Sequence, residues 1–428
     1  MKAAFVTLGC KVNQYESNAL AALLKSSGFT VVPPEEDADV YIVNSCTVTA
    51  ESSRKSRQAL RHVRREHPNA VTVFTGCYSQ AYREEPAALE EADIVLGNKT
   101  NDRLVAAIRA FIETKQRQLS VEEHLRGDAY TGFGAATFEG HTRAYIKIQD
   151  GCNRFCTYCI IPRSRGFSRS RPLEEIEAEL RCIAENGYKE AVFVGINLSS
   201  YGLETGMKIC DALEIAQRTS GIERFRLGSL EPDHITDEVI EALTKMDKFC
   251  PQFHISLQSG CDRILKRMNR HYTAAEYETL CGKLREAFPG LSLTTDIIAG
   301  FPGETEEDFL ETVAFAEKIG FMKVHVFPYS RREGTPAANA PDQVDKHTKL
   351  DRCARLQTAC DALRNSFLRQ MVGSTQEVLF ETPKHGMQQG YTRNYTPVAV
   401  ACPDCLTGQI RNVKITGTDG DGCVGEIV

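Results

Sequence analysis

Cys152-Asn153-Arg154-Phe155-Cys156-Thr157-Tyr158-Cys159 sets three cysteines in C-x3-C-x2-C spacing, with an aromatic residue just before the last. Three thiolates on one short loop suit three irons of a cubane cluster, which normally takes four cysteines. The fourth iron is then open to a small molecule that offers an amine and a carboxylate together. S-adenosylmethionine carries both on its methionine end. An electron passed from such a cluster into the sulfonium would cleave a C–S bond and release a carbon radical. Zinc is the plainer alternative, but structural zinc asks for four ligands, usually as two paired knuckles. No second knuckle lies near this loop, and His141 is the nearest histidine on its N-terminal side.

The surroundings of the loop point to an α/β fold. From Arg143 the chain alternates apolar strand-like runs with helical patterns. Strands are expected at residues 145–149, 191–195, 224–229, 253–258, 291–298 and 323–327, with helices over 173–185, 273–287 and 306–319 between them. Six such units predict a parallel sheet curled into a partial (βα)6 barrel, not the closed eight-strand form. The cysteine loop follows the first strand, at the carboxyl end of the barrel, where such folds carry their chemistry. The later strands end in Gly195-Ile196-Asn197, Gly228-Ser229, Ser256-Leu257-Gln258, the run from Asp296 through Ile298 to Gly303, and Phe327-Pro328-Tyr329. Singly these are ordinary turn and cap residues. Gathered at one mouth beside three cysteines, they form a site.

Upstream, apolar runs at residues 3–8, 40–43 and 71–74 are each followed by a cysteine: Cys10, Cys46 and Cys77. Strand, cysteine, helix recurs three times. Open parallel sheets gather ligands at the carboxyl ends of their strands, so the three cysteines should converge on one edge and share a second metal site. Gly9 and Gly76 suit tight turns there. The helix over residues 52–66 carries Arg54, Lys55, Arg57, Arg61, Arg64 and Arg65, which reads either as a solvated face or as a phosphate-backbone contact. A strand-and-turn unit at residues 94–98 closes this domain, a helix follows over about 102–115, and Gly127, Gly132, Gly134 and Gly140 mark a flexible linker. The predicted division is an open parallel α/β domain over 1–120, a linker over 121–140, the barrel over 141–370 and a small antiparallel β-barrel over 371–428. In the last, Tyr391, Arg393 and Tyr395 are candidates for stacking on RNA. Cys402 and Cys405 make half a zinc knuckle without its partner, and read as incidental.

A chain of 428 residues with 42% hydrophobic and 25% charged residues is globular and large enough for several domains. No apolar run approaches the ~20 residues of a membrane span. The N-terminus reads as a strand and not as a signal peptide, so a cytoplasmic location with no membrane partner is expected. The 16 cysteines are too dilute for a secreted disulfide scaffold. The formal charge of −6 means that nucleic-acid binding would need local basic patches. Arg163, Arg165, Arg169 and Arg171, then Lys266, Arg267 and Arg270, then Arg331 and Arg332 border the mouth and suggest an anionic macromolecular substrate.

Ile148-Gln149-Asp150-Gly151-Cys152 through Cys159-Ile160-Ile161-Pro162, with Arg165-Gly166 and Ser168-Arg169-Ser170-Arg171, resembles the radical-SAM methylthiotransferases. The likeness extends to three cysteines in the first domain and a C-terminal TRAM domain. Gln149-Asp150, the run His254 to Gly260 and Met268-Asn269-Arg270 look like the branch acting on threonylcarbamoyladenosine in tRNA. The resemblance implies two 4Fe-4S clusters. Cys152, Cys156 and Cys159 would hold the one that cleaves S-adenosylmethionine, and Cys10, Cys46 and Cys77 an auxiliary one that carries the sulfur. Tyr158, Gly195, Asn197, Ser229, Gln258, Asp296 and Ile298 would contact the cofactor. Gly195-Ile196-Asn197 departs from the Gly-Gly-Glu many radical-SAM enzymes carry, which leaves the amine contact open. One S-adenosylmethionine would donate methyl to the sulfur and another would supply the 5′-deoxyadenosyl radical. Implied partners are the tRNA anticodon loop, an electron donor such as a flavodoxin or ferredoxin, and a sulfur source. The alternatives are isopentenyladenosine or a ribosomal-protein aspartate as substrate, and an iron–sulfur RNA-binding or redox-sensing protein that is not an enzyme.

Overall fold

The computed structural model describes residues 1–132, 134 and 141–428; Gly140 of the expected linker lies outside them. The first domain is a parallel six-stranded sheet. Its spatial order is Thr30–Val32, Lys2–Thr7, Val40–Ser45, Val71–Gly76, Ile94–Leu96, Gln118–Ser120. The two central strands, Val40–Ser45 and Val71–Gly76, are buried at every position, which is why they read as unbroken apolar runs. The two edge strands are three residues each, too short to show a period in sequence. The sheet therefore ends on Gln118–Ser120 and not on the preceding helix, Leu104–Thr114. The segment after it is tied down. Gln80 donates to the Glu122 carbonyl at 2.6 Å, Lys99 pairs with Asp128 at 2.7 Å and the Tyr130 hydroxyl donates to the Lys147 carbonyl at 2.9 Å. Its glycines supply turns, as at Gly127 with φ +90°, and the expected flexible linker is in this part a packed strap.

The second domain holds six parallel strands: Arg143–Lys147, Glu190–Val194, Arg224–Leu227 continued by Ser229–Leu230, Gln252–Ile255, Ser292–Ala299 and Lys323–Pro328. Gly228 breaks the third strand, where a β carbon would meet the Phe193 carbonyl at 3.0 Å. Phe193, Phe225 and Phe253 fill the layer between strands and helices. Val12, Tyr15 and Ala19 of the first domain's helix Lys11–Ser26 belong to the same apolar cluster, so the two domains share a core.

The helix Lys346–Met371 packs on the last barrel strand and delivers Leu368 and Met371 to the core of a closed five-stranded β-barrel. That small barrel plugs the amino-terminal end of the large one. Tyr391 and Tyr395 stack with ring centroids 4.6 Å apart. The Arg143 guanidinium lies over both rings, at 4.9 and 5.0 Å, and that of Arg226 over Tyr395 at 4.7 Å. Arg224 donates to the Tyr391 carbonyl at 3.0 Å and Arg393 to the Phe249 carbonyl at 2.8 Å. The residues expected to stack on RNA thus make the docking contact between domains. The cause is the buried triad behind them. Glu190 takes Nε–H bonds from Arg224 at 2.5 Å and Arg226 at 2.6 Å. Burial alone would push its pKa up, but the two guanidiniums more than offset this and hold it at about 2.

The basic helix is likewise mostly engaged within the chain. In Ala50–Glu66, Arg61 pairs with Glu91, Arg64 with Asp93, and Arg57 donates to the Tyr78 hydroxyl, which favours the solvated-face reading.

Replacing Glu190 by leucine strands two arginines in the interior. Loss of one partner from a buried ion pair costs about 3–5 kcal/mol. Urea unfolding of Glu190→Leu should show a loss of this size, together with faster proteolysis between the two barrels. An unchanged midpoint would mean that the triad contributes nothing to docking.

Candidate active site

Each cysteine of the first domain sits where a parallel strand gives way to a loop or helix. Cys10 is the N-cap of Lys11–Ser26, at the positive end of a 16-residue helix. Cys77 opens the short helix Cys77–Ala81, and Cys46 follows Val40–Ser45. The turns are close. A β carbon at Gly9 would stand 3.0 Å from the Cys46 sulfur, and one at Gly76 only 2.4 Å from the Asn44 side chain. Gly9 and Gly76 have φ of +104° and +97°, which suits glycine. Burial pushes the Cys77 thiol up to about 12, with Arg165 pulling against it and the nearby Cys46 and Cys10 adding to it. Burial also raises Cys46. Cys10 and Cys46 lie near enough to Cys77 to act on it, so the three thiols converge at one edge of the sheet.

The barrel loop is built in the same manner. The Cys152 amide donates to the Gly166 carbonyl and the Cys159 amide to the Cys156 carbonyl, at 3.0 and 2.9 Å. Phe155 takes a left-handed φ of +51°, held by Asn269, whose side-chain amide donates to the Arg154 and Phe155 carbonyls, both at 3.2 Å. Burial and then the neighbouring Cys156 raise the Cys159 thiol; burial raises Cys152. Among the described residues each set offers three thiols and stands opposite a buried arginine. Arg165 Nε–H points at the Cys77 sulfur, 3.2 Å away, and Arg270 Nη1 at the Cys156 sulfur, 3.3 Å away. Such cations favour thiolates and the negatively charged cluster they would hold.

The residues expected to contact the cofactor stand in differing surroundings. Asn197 is buried, its amide lies 3.7 Å from the Cys152 sulfur and its carbonyl oxygen has no partner, an acceptor left free for an amine. Gly195 abuts Gln149, whose carbonyl oxygen accepts from the Ile196 and Asn197 amides at 3.0 and 2.8 Å. Gln149 thus shapes the turn that takes the place of Gly-Gly-Glu. Ser229 and Ser256 hydroxyls meet at 3.3 Å. Gln258 has φ +69°, donates its amide to the Asp296 carbonyl and accepts from the Ile298 amide, both at 2.9 Å. Tyr158 and Ile298 pack against one apolar cluster with Phe301 and Met268, an apolar flank suited to a flat base. Asp296 lies one side-chain layer deeper, on the face of Ile298, and pairs with His254 at 3.4 Å. The three-thiol sets and the unpaired Asn197 oxygen fit the two clusters and the cofactor.

Sequence reasoning missed the residues that bind the two halves together. Arg165 is fully buried, and besides Cys77 it holds Asn13 and Glu16 at 2.8 Å. Lys147 bridges Glu16 and Asp150 at 2.7 and 2.6 Å. Arg332 donates to Thr47 and Ser53, at 2.6 and 2.9 Å. Arg169 and Arg171 are buried too, the latter paired with Glu179. Most arginines of the expected phosphate-binding ring are thus interior fasteners. Arg165 and Arg169 look basic in sequence because their carboxylate partners, Glu16 and Asp150, come from earlier elements of the chain.

The Radical SAM superfamily matches residues 146–316, Uncharacterized protein family UPF0004 residues 2–97 and the TRAM domain residues 369–419. The fold aligns with the radical S-adenosylmethionine methyltransferase TsrM from Kitasatospora setae at TM-score 0.58 and 15% identity, over 91% of this chain and 80% of that one. The fold and the site therefore define a radical-SAM protein. At 41% identity over 96% of this chain and 93% of its own length, threonylcarbamoyladenosine tRNA methylthiotransferase MtaB of Bacillus subtilis (strain 168) is a full-length relative. The tRNA-2-methylthio-N(6)-dimethylallyladenosine synthase of Clostridium novyi (strain NT) is 34% identical over 99% of this chain and 95% of its own. The chain belongs to the radical-SAM tRNA methylthiotransferase family, and is an enzyme whose cofactors are 4Fe-4S clusters and S-adenosylmethionine. Among the described residues no helix is long and apolar enough to cross a membrane.

Anaerobically reconstituted protein should carry about eight irons per chain, four for each three-cysteine set. Cys77→Ala and Cys156→Ala should each fall to about four while keeping the other cluster's spectrum. A single cluster in the unaltered chain, or zinc in place of iron, would contradict the assignment.

Proposed function

We propose that the chain converts N6-threonylcarbamoyladenosine beside the tRNA anticodon to its 2-methylthio derivative. The observation that carries this reading is the presence of two three-thiol sets at the mouth of one barrel, one beside Arg165 and the other beside Arg270. The choice of substrate follows the relatives, since those named for threonylcarbamoyladenosine reach 41% identity and those named for dimethylallyladenosine 35%. Cys152, Cys156 and Cys159 would hold the cluster that meets S-adenosylmethionine, and Cys10, Cys46 and Cys77 the one that bears the sulfur. With these groups bound, one S-adenosylmethionine supplies a methyl group and another a carbon radical. Adenine C2–H is not acidic, so no side-chain base of this chain takes the proton, and the cofactor carries that step.

What the chain's own residues contribute is placement. Asn197, Gly195 and Ser229 would hold the polar end of the cofactor, with Tyr158 and Ile298 against its base. Arg270 sits beside Cys156 and shields charge there, and Arg165 does so beside Cys77. An anticodon-loop base is single-stranded and can be turned into a pocket at a cost of a few kcal/mol. A small reductase would supply electrons and a separate sulfur source would reload the auxiliary site.

Nucleoside mass spectrometry of tRNA from cells lacking this chain should show threonylcarbamoyladenosine without its 2-methylthio form, restored by the intact gene and not by Cys156→Ala. Persistence of that nucleoside, or loss of the isopentenyl analogue instead, would refute the substrate assignment.

A further inference from the structure

The inner face of the last barrel strands is open and polar, unlike the rest of the strand layer. On Lys323–Pro328, Val324 is buried against the helix side, while Lys323, His325 and Phe327 are exposed on the opposite face. Phe327 is 42% exposed. Its ring lies nearly parallel to that of His325, with centroids 6.5 Å apart. Phe327 pairs in register with Ile298, and His325 with Asp296. His254 completes the deeper layer. It meets Thr294 at 3.0 Å and Asp296 at 3.4 Å, and polar atoms of His254, Asp296 and His325 all lie within 4.8 Å of one another. Lys11, next in sequence to Cys10, lies close enough for its charge to act on His325 and on Tyr395 at the closed end of the barrel, although burial lowers its own pKa.

The lumen is thus layered. An apolar shelf of Ile298 and Phe327 lies nearest the cofactor slot. A polar layer of Asp296, His254 and His325 lies two residues deeper, about 7 Å along a strand. An ammonium faces it from the auxiliary-cluster side. The layer offers a carboxylate acceptor, two imidazoles and a nearby lysine, a set that suits a guest with N–H donors and an anionic end.

We propose that this lumen reads the N6 arm of the substrate: the adenine stacks on Phe327, and the threonylcarbamoyl group reaches down into the His254–Asp296–His325 layer with its carboxylate toward Lys11. The proposal rests on threonylcarbamoyladenosine being the substrate. The arm's chemistry matches the layer. Urea N–H groups donate to the Asp296 carboxylate, the imidazoles donate to the hydroxyl or carboxylate, and the ammonium balances the charge. An apolar isopentenyl arm would displace water from the same polar groups and return no hydrogen bonds, which is the strong form of discrimination.

The test uses oxidised holoenzyme without reductant, so that binding is read without turnover. Three anticodon stem-loops are compared, carrying threonylcarbamoyladenosine, isopentenyladenosine or unmodified adenosine at the target position. The unaltered enzyme should bind the first at least tenfold more tightly than the other two. His325→Leu and Lys11→Gln should each reduce that preference to twofold or less by weakening the first complex alone, and His325→Gln, which keeps a donor, should retain part of it. If the unaltered enzyme prefers the first loop and both His325→Leu and Lys11→Gln keep the full preference, the lumen assignment is wrong. If the unaltered enzyme prefers the isopentenyl loop, the substrate assignment itself fails and the lumen reading with it. Equal binding of all three by the unaltered enzyme overturns the lumen reading alone, provided mass spectrometry still shows the threonylcarbamoyl product.

Discussion

One guanidinium fixes how the two halves of the reaction chamber meet. Arg165 is wholly buried, and an uncompensated charge there would cost several kcal/mol. It is compensated from both domains at once: Glu16, Asn13 and Cys77 from the first, Asp150 from the barrel. Lys147 doubles the link by bridging Glu16 and Asp150. The arrangement does not simply add stability. A buried ionic network is satisfied in only one relative position of its members, so it sets registry between domains. Here the registry places the auxiliary thiols over the barrel mouth.

The same device closes the other end. Glu190 pairs with both Arg224 and Arg226, each of which also donates to a carbonyl of the C-terminal barrel, while Arg143 and Arg226 cover its stacked tyrosines. A parallel barrel of six strands has an open side and an open bottom. The chain covers the bottom with a separate domain and leaves the inner face of the last strands exposed.

Charge within this chamber is graded. Arginines stand beside the sulfurs at the mouth, where negative charge would gather on a cluster. The Tyr158 and Ile298 flank is apolar, which suits a flat base. Histidines and a carboxylate lie deeper, with a lysine facing them. Each layer has the polarity of a different part of a nucleoside.

The amino-acid sequence by itself determined the main strands and helices and the two sets of three cysteines. The period of the apolar runs follows from burial of parallel strands on both faces, and cysteine spacing is a local property that a loop preserves. So the three-cysteine loop, the strand–cysteine–helix repeats and the six-strand count were all legible. Tertiary structure decided what the charged and aromatic residues do. Arg165 reads as part of a basic patch in sequence, since its partner Glu16 lies 149 residues away along the chain. Tyr391 and Tyr395 read as an RNA-stacking pair, because the guanidiniums that cover them lie some 165 to 250 residues away. The short edge strands and the polar lumen were hidden for the same reason. A side chain's partner across a sheet or a domain boundary leaves no mark on its own neighbourhood, and only folding brings the two together.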